Sequence, residues 1–535
     1  MASEIEFNRN QNSKPSSPTQ SKKQSVDVID VECHEQERRL GHHEQLFYMY
    51  NKGNNSELYV SINVIESKVI KSTAEEGGSG EISIERVKQA LLKTSQMNFL
   101  MRACVKLDTS GTPCFRAMSE KRLAQEDWVR IETIPLEDEK DWEKAIPRIT
   151  RQAFDYEKGP LWSAVWSKVG GNISCDDGPG GEEKITEKYI LFFVCSHMII
   201  DGLSGLNLMA NQILPLLNNE FGEGAAAVCD PIYFAKSKEL IFDGFTEVQM
   251  ELSKRPMSFR VRAIGNILSW KTHLVRWWDS KKKTLQQQQQ QNPTSPITIK
   301  HHYKKFMVDN EFSQSFVRIC KSRDKSVHAV LQLLLYNALI EASEKFELNL
   351  RNDIVFVVDK TKFHARMSDP KSMPLGTYHH ISSHDMRLVA LDNEIELFKM
   401  VDEVMATITA SNVPRVTSGS DDIMYIFFKN GLLTADLDDL NILSNLGNGD
   451  AILKYDKDGS RDVVLTNHFF LVPESRFNLT TFVNSFRGKL HVVVGHNTLR
   501  GDSEPYCALI ARKFEEMIMQ FMKIYAWTTS NIVSS

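Results

Sequence analysis

The residues best suited to chemistry in this 535-residue chain fall in one short run, Ser196-His197-Met198-Ile199-Ile200-Asp201-Gly202, which sets an imidazole four positions before a carboxylate. Histidine has an unperturbed pKa of about 6.5, so a neutral ring nitrogen can take a proton from an attacking alcohol or amine and return it later. Asp201 has two readings. Its carboxylate orients His197, as in a hydrolase triad, or it points away and fixes the turn through a distant arginine. Gly202 and Gly205 admit backbone angles or close contacts that a side chain would forbid. The plainer reading is a hydrogen-bonded structural histidine in a turn. Three spaced residues recur by chance, and it is their surroundings that favour a functional role.

Those surroundings are strand, turn and helix. Tyr189–Cys195 (YILFFVC) is short and almost wholly apolar, which suits a strand buried on both faces. After the run, Leu206, Met209, Ile213 and Leu217 recur at helical spacing. A turn at the end of such a strand is where a scaffold holds a reactive group toward a cleft. Ile84, Val87 and Leu91 mark another helix in the first half. In the second half, His328–Ile340 (HAVLQLLLYNALI) predicts a buried helix, Asp353–Asp359 (DIVFVVD) a central strand, and Lys489–Asn497 (KLHVVVGHN) a further strand. Ile510, Phe514, Ile518, Phe521 and Tyr525 form a stripe that predicts a closing amphipathic helix. This mixture of helices and apolar strands gives the class α/β.

The length exceeds one typical domain, so two comparable lobes are expected, each with its own core. No stretch repeats at a fixed period, which argues against a solenoid. A net charge of −5 supplies no long-range attraction for phosphate backbones, so a nucleic acid is not an expected partner. Eight cysteines without close C-x-x-C pairs, and an N-terminus without an apolar signal core, point to free thiols in the cytoplasm. No uncharged apolar run reaches about eighteen residues, so no transmembrane helix is predicted.

Composition sets the boundaries: a disordered tail over 1–30, a first lobe over 31–280, a Gln-rich linker over 281–297, a second lobe over 298–527 and a flexible tail over 528–535. Glu75–Glu81 and Asp176–Glu183 read as solvated loops. In Lys254–Lys283, Arg262, Asn266, His273 and Arg276 share one helical face, and Ile264, Ile267, Leu268, Leu274 and Trp278 the other. Such a helix packs between lobes with a solvated basic side, or lies on an anionic membrane or lipid droplet and gives peripheral attachment there or at the endoplasmic reticulum.

Several chemistries are excluded. Gly202-Leu203-Ser204-Gly205 lacks the spacing of a nucleophile elbow, and no phosphate-binding G-x-x-x-x-G-K-[ST] loop occurs. Asp456, Asp458, Gly459 and Asp462 are misspaced for a calcium loop. The adjacent pairs His42-His43, His301-His302 and His379-His380 would diverge on a strand or helix, so no metal site is expected.

Several segments, in order, resemble the coenzyme A-dependent acyltransferase superfamily, which includes alcohol acetyltransferases, plant BAHD acyltransferases, wax ester synthases and peptide-synthetase condensation domains. They are Arg38–Phe47 (RRLGHHEQLF), Phe154–Trp162 (FDYEKGPLW), the SHMIIDG run, Val358–Tyr378 and Leu443–Gly447 (LSNLG). Ser196 stands where condensation domains usually carry a second histidine, Thr377 where the family often has asparagine, and the plant branch's Asp-Phe-Gly-Trp-Gly motif does not occur. The alcohol acetyltransferase and condensation-domain-like branch is the nearest in pattern.

The resemblance implies two lobes related to the chloramphenicol acetyltransferase fold, each a mixed sheet with flanking helices, and an active-site tunnel between them. It implies acyl-coenzyme A as a co-substrate, no permanently bound cofactor, and a small hydroxyl or amine acceptor. His197 would be the general base, a role worth about 10² to 10⁴ in rate. Asp201 would pair with Arg366 across the lobes, and Gly202 would shape the turn. Ser444 or Asn445 would donate to the oxyanion, and His379 and His380 would line the acceptor side. An O-acyltransferase that moves an acyl group, acetyl among the candidates, onto an alcohol is the leading expectation, and a monomer is expected. Amide formation on an amine, and a non-catalytic binding descendant of the fold, stand as alternatives.

Overall fold

The computed structural model describes residues 37–40, 44, 48, 58–70, 81–150 except 110, 119, 124 and 126–130, 154–219 except 171–173 and 178–182, 301–346, 353–359, 379–412, 441–453, 461–473, 479–497 and 503–533. They belong to the compact unit Glu37–Ser535. Along the first half run β1 (Glu37–Arg39), β2 (Leu58–Ile70), α1 (Ile84–Met97), β3 (Ala103–Leu107), β4 (Pro113–Ala117), β5 (Ile131–Thr133), α2 (Trp142–Ile149), β6 (Trp162–Lys168), β7 (Ser174–Asp177), β8 (Glu183–Ser196) and α3 (Gly202–Leu208). The second half supplies β9 (His301–Val308), α4 (Asn310–Ser322), α5 (Val327–Phe346), β10 (Asp353–Asp359), β11 (His379–Asp385), α6 (Glu394–Asn412), β12 (Asn441–Asn448), β13 (Val463–Leu471), β14 (Leu479–Phe486), β15 (Lys489–Asn497) and α7 (Ser503–Val533).

The fold is α/β, with several sheets and flanking helices. One sheet has the order β13-β2-β8-β6-β5, with β7 added to β8, and is antiparallel except at β5 and β6. A second has the order β11-β10-β12-β14-β15-β9, with parallel pairs β10/β12 and β12/β14. A small antiparallel sheet joins β1, β4 and β3. β8 lies at the centre of the first sheet between β2 and β6, and its residues from Tyr189 to Ser196 are all buried. That is why its apolar run does not alternate.

The second sheet sorts its side chains by the two-residue period of a strand. Phe482 and Phe486 of β14 and Val493 of β15 join the core built on the first sheet, whereas Leu479, Val483, Val492 and Val494 join the core formed with α5, α6 and α7. One face therefore meets the first sheet and the other meets helices. α5 packs beneath this sheet and against α7, and every residue from Ala329 to Leu339 is buried. On α7 the stripe from Ile510 to Tyr525 is buried as its spacing predicts.

Three features differ from the sequence reading. Asp176 and Asp177 are not loop but strand, because β7 pairs back on the start of β8 with Asp177 opposite Glu183. The helix expected over Leu206–Leu217 contains a wider turn at Met209–Ile213, just ahead of Pro215, which contributes no amide hydrogen to the ladder. α7 continues to Val533, through residues whose Thr and Ser composition reads as a tail. The expected tail over 1–30, the linker over 281–297, the basic segment over 254–283 and Arg366 lie outside the described residues.

Candidate active site

β8 ends at Ser196, whose amide donates to the Leu161 carbonyl at 2.9 Å, and the Ile199 amide closes the following turn onto the Ser196 carbonyl at 3.1 Å. The Ser196 hydroxyl oxygen accepts from the Tyr156 phenol at 3.2 Å and from the Met198 amide at 3.4 Å. His197 sits on this turn. Between Tyr189 and Ala210 it alone is not buried. Its Nδ1 lies 2.8 Å from the Ile200 carbonyl oxygen. A carbonyl can only accept, so this contact assigns the proton to Nδ1 and leaves the lone pair on Nε2. Burial pushes the imidazole pKa below its ordinary 6.5, while carbonyl contacts at His197 and Ile200 oppose it, so the ring is neutral at pH 7. A neutral imidazole with its lone pair on Nε2 is the form a general base requires.

Asp201 caps α3. Its Oδ1 accepts from the Ser204 amide at 2.9 Å and the Ser204 hydroxyl at 2.8 Å, and the Asp201 amide donates to the Ser204 hydroxyl oxygen at 3.0 Å. This reciprocal box satisfies helix donors that would otherwise be orphaned beside a buried turn. The contact that a triad draws from a carboxylate is made to His197 by the Ile200 carbonyl, which no side-chain pattern reveals.

The two glycines owe their place to close approach. A Cβ on Gly202 would come within 2.4 Å of Leu446 Cδ2, and one on Gly205 within 2.6 Å of the Tyr59 hydroxyl. Leu446 belongs to β12 and Tyr59 to β2, so the glycines let α3 settle between the two sheets. The Tyr59 ring lies 5.8 Å from the His197 ring and 5.7 Å from Phe470, which in turn lies 4.9 Å from Phe482. Burial first, then the charges of Cys195 and Asp201, hold the Tyr59 phenol protonated. Tyr59, Tyr156 and Phe470 escape sequence reasoning because each reads only as one more apolar residue in its segment.

Ser444 is cross-strand neighbour to Phe482 and therefore shares the face turned toward the first sheet. The Asn445 side chain accepts from the Gly447 amide at 2.8 Å within its own turn. His379 and His380 begin the edge strand β11, opposite Asp359 and Val358. The structure thus gathers His197, Asp201 and Gly202 in one turn and packs β12 against it.

No family model matches the sequence, and no curated protein matches it. Solved structures do match in fold. The trichothecene 15-O-acetyltransferase from Fusarium sporotrichioides has a TM-score of 0.57 at 13% identity, over 92% of this chain and 95% of that one. The first condensation domain of the calcium-dependent antibiotic synthetase has a TM-score of 0.54 at 12% identity, over 91% of this chain and 97% of that one. For the EpoB cyclization-docking bidomain from Sorangium cellulosum the values are 0.53 and 10%, over 91% and 85%. The chain has the fold that these acetyltransferase and condensation structures share.

Proposed function

We propose that this chain is an acyl-coenzyme A-dependent O-acyltransferase acting on an alcohol, with His197 as general base. The observation that carries the proposal is the 2.8 Å contact from His197 Nδ1 to the Ile200 carbonyl, which leaves Nε2 basic at the least covered point of a buried turn. The shared fold with an O-acetyltransferase supports the same reading. On this reading Nε2 takes the hydroxyl proton as the acceptor oxygen attacks the thioester carbonyl, and returns it to the departing thiolate. The hydroxyl of Ser444 and the side-chain amide of Asn445, whose oxygen is held by the Gly447 amide, are the candidates to donate to the oxyanion. Arg366 pairs with Asp201 and ties the turn to the second half, and the two substrates meet in a tunnel between two lobes. The condensation-domain likeness keeps an amine acceptor as the second reading.

The test is thiol release from acetyl-coenzyme A and longer acyl esters in the presence of pooled alcohols and amines. His197→Ala should lower it by about 10² to 10⁴. Because the imidazole must be neutral, the wild-type rate should be full near pH 7 and fall on acidification with a midpoint below 6.5. Equal release by wild type and His197→Ala overturns the assignment.

A further inference from the structure

Lys305 lies on β9, an edge strand of the second sheet, at the margin where that sheet meets the first. Its ammonium stands 3.7 Å from the centroid of the Phe469 ring, and Phe469 is itself braced edge-on by Trp142 at 5.1 Å. The lysine is half-buried. Among the described residues no carboxylate reaches it at ion-pair distance. The acid whose charge it feels, Glu139, is already engaged by Lys188 at 3.1 Å and Asn467 at 3.3 Å. Beside it, His491 occupies the diagonal cross-strand position on β15, on the same face of the sheet. The Nε2 of His491 lies 3.4 Å from the Phe486 carbonyl, which assigns the proton there and leaves Nδ1 as a buried lone pair with no partner. A long amine over an apolar ring, without a counter-ion and next to a bare acceptor, is the setting that turns lysine into a nucleophile.

We propose that Lys305 is a site of covalent acylation, its amine taking an acyl group from a thioester. The inference goes beyond the function proposed above and shares with it only the donor. The neutral amine attacks the thioester carbonyl, a C–N bond forms as the C–S bond breaks, the sulfur leaves as thiolate, and the proton lost from nitrogen neutralises it. Burial supports the step by pushing the amine down to about 8, although the aromatic face favours the cation, because one ring does not replace a hydration shell. At pH 7.5 about a quarter of such an amine is free base, against about one in a thousand of an ordinary lysine.

The experiment treats full-length His197→Ala protein with acetyl-coenzyme A and with a small acetyl thioester lacking the nucleotide, and maps acetyl-lysine by mass spectrometry against time and pH. Lys305 should be modified about ten-fold or more faster than the exposed Lys121, Lys321 and Lys399, with a half-maximal rate near pH 8. Lys305→Arg should remove the mark without lowering the melting temperature. Modification no faster than at the exposed lysines, or a rate that climbs through pH 10 without levelling, overturns the inference. Failure here leaves the role of His197 standing, because the protein assayed lacks that imidazole.

Discussion

Asp201 shows how one residue type can serve two purposes that a substitution separates. Its Oδ1 closes the cap on Ser204, a contact that asparagine reproduces almost as well as aspartate. The proposed pairing with Arg366 needs the charge, which asparagine lacks. Asp201→Asn should therefore destabilise the protein by about 1 to 3 kcal/mol in wild type and by much less in an Arg366→Ala background. Urea denaturation of the four proteins measures the coupling. Equal losses in both backgrounds would show Asp201 to be a cap and nothing more.

The turn of α3 onto the two sheets depends on what its glycines omit. At Gly205 the obstructing group is the Tyr59 ring, stiff and fully buried, with its hydroxyl nearest. A methyl group there must push the ring that lies beside His197, so Gly205→Ala should cost about 1 to 3 kcal/mol of stability and reduce turnover as well. Removing the obstructing oxygen should relieve part of both losses. Tyr59→Phe combined with Gly205→Ala is expected to melt higher than Gly205→Ala alone. A double variant as unstable as the sum of its parts would put the clash elsewhere.

The two sheets meet across a layer that is partly polar. His468 donates from Nδ1 to the Asn63 side-chain oxygen at 2.8 Å, and Asn63 donates in turn to Ser61 and to the Leu191 carbonyl. Asn484 reaches from the second sheet to the His468 carbonyl at 3.0 Å. Burial pushes His468 down to about 3, and burial together with the charges of Lys305 and Lys489 pushes His491 down to about 3. Between pH 6.5 and 3 the unfolded chain binds protons at these rings and the folded chain does not. Stability is therefore complete above about pH 6.5 and lost as pH falls, by about 1.4 kcal/mol per pH unit for each imidazole. The urea midpoint should drop clearly between pH 7.5 and 5.0, a range in which ordinary carboxylates scarcely titrate. An unchanged midpoint would mean that these rings are hydrated.

What the sequence determined by itself is whatever repeats with a local period or stands in a short run. β8, α5, β15 and α7 were legible because burial imposes apolar runs and stripes on neighbouring residues, and His197, Asp201 and Gly202 because they share one turn. The tertiary structure alone decided which distant segments meet. β13, from the second half, completes the edge of the first sheet opposite β2, although nothing in VVLTNHFFL names its partner. The orientation of the imidazole, too, came from a backbone carbonyl that every residue possesses. Pairing across several hundred residues leaves no period in the chain, since the energy that selects it comes from surfaces that exist only once both sheets have formed.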